Sequence, residues 1–219
     1  MAIAWGLWGA EPRFGFAPAL SVTAWLVGLV YMVETWIYPQ VTTPSFVHGA
    51  SVLVVLLALA FPGALVHPSM SPWMPLHWAL GIASYGLFAV AVVHAVVLGR
   101  AEARIRHAAD AQSGLPLLTL ERMMFRLVGL GFSLLTLTLM AGFYFGYGAG
   151  AGPGSMRVDH KTVFSILSWL TFASLLLGRW RFGWRGRPAV RVLYAGSVLL
   201  LLSYAGSRFV MEVILGRVT

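Results

Sequence analysis

Residues 158–179 read VDHKTVFSILSWLTFASLLLGR: Asp159, His160 and Lys161 in a row, an apolar run through Trp169, and a closing Gly178-Arg179. An apolar segment of this length is the pattern of a helix crossing a membrane, and ionisable groups at its mouth are costly enough to call for a role. The pattern recurs along the chain. Of the 219 residues 59% are hydrophobic and 10% charged, and the apolar ones fall in blocks of roughly 20 that one soluble core could not hide. The fold class that follows is an all-α, polytopic transmembrane helix bundle of about six spans. It forms a single integral membrane domain over residues 1–219, because no polar stretch is long enough for a second.

Spans are expected at Phe16–Tyr38, Phe46–Val66, Leu76–Leu98, Met124–Phe145, Lys161–Gly178 and Val190–Leu215. Trp36 and Tyr38 suit an aromatic belt, and Pro39 stops the first span. Pro68, Pro72 and Pro75 mark a short loop. Residues Met1 to Arg13 are too polar and too short for a signal peptide and suggest an interfacial lead-in. The glycine-rich run Gly146 to Gly154 is expected to be too flexible for a helix, and with no preceding strand and no following Lys-Ser/Thr it is no phosphate loop. Gly81 with Ser84, Gly129 with Gly131, Gly196 with Ser197, and Gly206 with Ser207 are small residues of the kind that let helices approach closely in lipid.

There is no cysteine, which excludes disulfides, thiolate metal sites and covalent thiol chemistry. The net charge of +8 does not point to nucleic acid. Ten of the fifteen basic residues, all arginines, lie in or beside two interhelical segments, 99–122 and 179–187. Arginines so placed hold topology and meet anionic lipid head groups of the surrounding bilayer. They put those two segments in the cytoplasm, and the proline-rich loop, the glycine-rich loop and both chain ends outside. An outside N-terminus without a signal sequence suggests that a preceding helix is missing.

This orientation sorts the histidines by depth. His67, His77 and His160 fall at the outer face, His94 and His48 toward the inner face, and His107 in the cytoplasmic loop. The outer three have aromatic company in Trp73, Trp78, Tyr85 and Phe143-Tyr144-Phe145, a setting suited to a flat aromatic ligand with a metal at its centre. A single histidine at a helix end ordinarily bonds backbone or water. Three together raise the alternative, since neutral imidazole is the usual nitrogen ligand of haem iron. Asp159 also suits a helix N-cap, Lys161 can snorkel or pair with a propionate, and Trp169 suits packing. Arg208 and Glu212, four residues apart, share a helix face on which they can pair.

The run Val158-Asp159-His160-Lys161-Thr162, with Trp169 to Ala173 and Leu177-Gly178-Arg179, resembles the C-terminal part of the tryptophan-rich haem-handling motif of the cytochrome c assembly superfamily (CcsA, CcmC, CcmF). It is nearest to the YpjD-like and HemX-like branch. Leu76-His77-Trp78 with Ser84-Tyr85-Gly86 resembles the family's outer-face histidine helix. Gly183 to Arg187 with Tyr204 to Ser207 resembles the branch's closing hairpin, so the likeness covers nearly the whole chain.

The resemblance implies a haem-binding or haem-handling protein of the bacterial inner (cytoplasmic) membrane, multi-pass, working with other cytochrome c assembly or membrane complex subunits. The cofactor it implies is non-covalent, b-type haem. His77 carries over as iron ligand, with His160 or His67 as the second, and Asp159, Lys161, Trp78 and Tyr85 as further cofactor contacts. The chain departs from the pattern where the family's tryptophans before Asp159 are replaced by the glycine-rich run, where Leu177 stands for a membrane histidine, and in a sixth span without histidine. Thioether formation by this chain alone is not expected, nor is stand-alone enzymatic activity. Two other classes compete: a non-haem scaffold or accessory subunit packing into a larger complex, and a transporter, the latter supported by Glu34 and the Arg208/Glu212 pair.

Reporter fusions after Arg106 and after Arg187 should both report the cytoplasm, and a fusion within residues 148–154 the outside. The reverse pattern would overturn the placing of His77 at the outer face.

Overall fold

The computed structural model describes residues 13–65, 74–106, 116–148 and 160–210. The chain folds as α1 (Phe16–Ile37), α2 (Ser45–Ala60), α3 (Met74–Arg106), α4 (Leu117–Gly148), α5 (His160–Phe182) and α6 (Gly186–Leu201). A π-helical turn, Leu202–Gly206, and a last helical turn, Ser207–Phe209, follow. Two residues on each side, Arg13–Phe14 and Ala64–Leu65, pair antiparallel and draw the end of α2 back to the start of α1. Gly63 makes that return possible: its φ is +81°, and a Cβ there would lie 2.7 Å from the Gly15 nitrogen.

Five helices are long and apolar enough to cross a membrane. With α2 they form a polytopic all-α bundle. At 16 residues α2 is about 24 Å long, short of a roughly 30 Å hydrocarbon layer. Its exposed Val52, Leu53, Leu56 and Leu59 form an apolar outer surface. Several exposed large aromatics lie near helix ends, with Trp36, Trp180 and Phe182 at one end and Phe143 and Tyr144 at the other, as interfacial anchoring favours, while Trp25 is exposed midway along α1.

Several helices outrun the expected spans. α4 begins at Leu117 and continues through Gly148, so Gly146 to Gly148 are helical despite their composition. α5 runs on to Phe182, so Arg179 to Phe182 form its last turn rather than a loop. The rest of the glycine-rich run, the proline-rich loop, and the proposed Arg208/Glu212 pairing lie outside the described residues.

Two matching joints hold the bundle. On α3, Ser84 Oγ donates to the Gly131 carbonyl of α4 at 3.0 Å, and Phe88, one turn later, lies against the same glycine. On α5, Ser168 Oγ donates to the Gly196 carbonyl of α6 at 2.9 Å, and Phe172, again one turn later, lies against that glycine. The spacing of four puts serine and phenylalanine on one helix face. The two phenyl rings then stack on each other, with centroids 3.8 Å apart and planes within 7°. Both are essentially inaccessible to solvent.

A Cβ on Gly196 would meet Phe172 Cε1 at 2.8 Å, whereas one on Gly129 meets nothing within 4 Å. Gly196→Ala should therefore cost about 1–3 kcal/mol, the usual range for overpacking, while Gly129→Ala leaves stability unchanged or slightly raised. Thermal unfolding in detergent distinguishes the two; equal effects would contradict the joint.

Candidate functional site

His77 lies in the first turn of α3 and is half-buried against α4. Its ring is set by a gap in the neighbouring helix: a Cβ on Gly142 would come within 3.2 Å of His77 Cε1 and 3.7 Å of Nδ1. Nδ1 is buried without a hydrogen-bond partner, and the Thr138 backbone of α4 is a polar neighbour of the ring. The Nδ1–Cε1 edge is thus the side of the ring turned to α4.

Trp78 adds a flat apolar wall. Its indole stacks on Phe14, with centroids 4.7 Å apart and planes within 5°, and Phe14 in turn lies 6.4 Å from the Tyr204 ring. Tyr85, two turns along α3, is occupied differently: its hydroxyl donates to the Leu200 carbonyl at the edge of the π-helical turn. Such a turn interrupts the i→i−4 ladder, so carbonyls beside it need other donors. Ser165 and Ser203, 2.6 Å apart, tie α5 to the same turn. The hydroxyl of Tyr85 is thus committed to fixing α3 against the π turn, while its ring lies beside the core.

His160 is the first residue of α5 and exposed, and no hydrogen bond or ring contact joins it to His77. Lys161 is half-buried and has a partner of its own. His67 and Asp159 lie outside the described residues. Among the described residues no three histidine, cysteine, aspartate or glutamate side chains gather as a metal site. Among the described residues at this end, His77, beside Trp78, is the half-buried imidazole that could hold a haem iron. Trp169 proves to be packing: its Nε1 donates to Thr136 Oγ1 at 2.9 Å and its ring stacks on Phe132.

At the opposite end, the arginine-rich hairpin between α5 and α6 is locked by one residue. Arg179 donates to Glu121 Oε1 at 2.9 Å and to the Trp184 carbonyl at 3.2 Å, and its guanidinium lies 4.6 Å from the Phe125 ring centre. Gly178 leaves the space that the Trp184 indole fills, since a Cβ there would come within 2.4 Å of it. Gly183 and Gly186 take φ of +65° and +59° to turn the chain around it.

Residues 15–215 match the family model described as cytochrome C assembly protein. The chain belongs to the cytochrome c assembly protein family. It is 33% identical over 171 residues to the inner membrane protein YpjD of Escherichia coli K12, an overlap of 77% of this chain and 64% of YpjD. A 28.8 kDa protein from the nifR3-like 5′ region of Azospirillum brasilense is 30% identical over 227 aligned positions, covering 97% of this chain and 82% of that protein. The cytochrome c biogenesis protein CcsA of Gloeobacter violaceus is 33% identical over 94 residues, 43% of this chain and 27% of its own. No solved structure matches. Within the family frame, the Gly178-Arg179 and Gly183 to Arg187 motifs acquire a physical role as the parts of the hairpin lock.

The sequence missed one buried cluster. Glu34 near the end of α1 and His94 on α3 meet in the bundle, with Oε2 and Nε2 3.3 Å apart and Tyr31 stacked on the imidazole. The available signal was that two ionisable residues on separate spans share one depth.

Proposed function

We propose that this family member is a haem-handling protein of the bacterial inner membrane, holding non-covalent, b-type haem at the α3 start with His77 Nε2 on the iron. The observation that carries the reading is the His77 ring itself, whose Nδ1–Cε1 edge is set into the gap at Gly142, and Nε2 is the nitrogen this reading assigns to the iron. Trp78, braced by Phe14, supplies an apolar wall for a porphyrin. Tyr85 and Ser165 act at one remove by fixing the π turn beside them. Haem bound there would supply an iron centre able to accept and pass an electron. The chain has no thiol through which haem could be attached covalently, which supports non-covalent holding. His160 is the second histidine this end offers, and its exposure suits a ligand shared with a partner subunit of the assembly machinery.

His77→Ala should remove most of the haem that copurifies with, or is titrated into, the detergent-solubilised protein, read as Soret absorbance, while thermal unfolding stays close to wild type. His160→Ala should shift the band or weaken retention. An unchanged band in both variants would refute the ligand assignment, and a wild type without any band would favour the scaffold class.

A further inference from the structure

The Glu34–His94 pair stands apart from the site above. Along α3, His94 lies about 25 Å from His77, toward the arginine-rich end, where α1 finishes three residues after Glu34. His94 is 1% exposed and Glu34 8%. Ionisable groups this deep are expensive in a membrane protein and need partners.

The hydrogen-bonding chemistry of the pair bears on how many protons it holds. His94 Nδ1 lies 2.9 Å from the Val90 carbonyl, one turn back on α3. A carbonyl only accepts, so Nδ1 carries a hydrogen. In a neutral imidazole Nε2 would then present a lone pair, and it lies 3.3 Å from Glu34 Oε2, a buried atom with no hydrogen-bond partner of its own. An ionised carboxylate is also acceptor-only. Two acceptors do not hold each other at 3.3 Å in an apolar interior; one proton between them turns the contact into a hydrogen bond or an ion pair.

The surroundings supply no substitute charge. Tyr31 of α1 stacks on the imidazole with centroids 5.6 Å apart, and Tyr38 packs against the same core. On α2, His48 is exposed. Arg100 of α3 lies over the Phe46 ring, and Glu121 of α4 is taken by Arg179. Among the described residues no lysine or arginine forms an ion pair with Glu34.

We propose that Glu34 and His94 form a proton-binding site within the membrane bundle, which holds a single proton shared between Oε2 and Nε2. The proton comes from water at the arginine-rich end, and its loss leaves a carboxylate facing an imidazole lone pair, which drives α1 and α3 apart at this point. The ligand of the site is therefore the proton, and its occupancy is coupled to the α1–α3 contact.

Infrared and 15N-histidine NMR spectra of the full-length protein in detergent at neutral pH test this. The expected result is one of two signatures: a protonated carboxyl band that moves on 13C-glutamate labelling, or a His94 resonance with both ring nitrogens protonated, identified by its absence in His94→Gln. Glu34→Gln, whose amide can donate to Nε2 and keep the contact, should abolish that signature while the protein stays folded. An ionised Glu34 beside a singly protonated His94 in the wild type overturns the proposal without need of a variant. A signature that persists in Glu34→Gln assigns the proton elsewhere and also overturns it.

Discussion

The bundle depends on two phenyl rings, Phe88 and Phe172, stacked at its centre and each lodged against a glycine of the next helix. In lipid the hydrophobic effect gives helices little reason to associate, so close packing and interhelical hydrogen bonds must supply it. Here both come from one device used twice. A serine bonds the glycine carbonyl, and the phenylalanine one turn on fills the space that the glycine leaves. The device joins α3 to α4 and α5 to α6, and the ring stack joins the two hairpins. Dispersion between such closely apposed surfaces is small per atom and large in sum.

From that centre the two ends diverge. At one, Gly142 of α4 leaves the space that seats the His77 ring, with the π turn of the last helix pinned by Tyr85 and Ser165. At the other, Arg179 closes the α5–α6 hairpin on Glu121, Trp184 and Phe125. Both buried carboxylates of the described bundle have a basic partner, Glu34 with His94 and Glu121 with Arg179. Leaving either carboxylate alone would carry the full penalty of an uncompensated buried charge.

The fold class was legible because span length and apolar content are written along the chain. The place of His77 at a helix mouth was legible too, and it lies in the first turn of α3. Azimuth was not. Helices that are apolar on nearly every side carry little record of which face meets which neighbour, so the Glu34–His94 pairing and the Ser-x-x-x-Phe joints at 84–88 and 168–172 went unread. Helix ends were placed too early at Gly146 to Gly148 and at Arg179 to Phe182, where local composition argued for loops and the helices α4 and α5 run on without a break. Of the candidate site, His77 and Trp78 come together at the start of α3. Tyr85 turned out to be engaged by a carbonyl 115 residues away in sequence, a contact created by a π turn that no local pattern announces.

The most direct test of the account is a structure of the full-length protein loaded with haem in a lipid nanodisc. The account predicts iron on His77 Nε2, with the Nδ1–Cε1 edge still set against Gly142 and the porphyrin edge beside Trp78. Iron held by another residue, with the His77 ring unliganded, would contradict it.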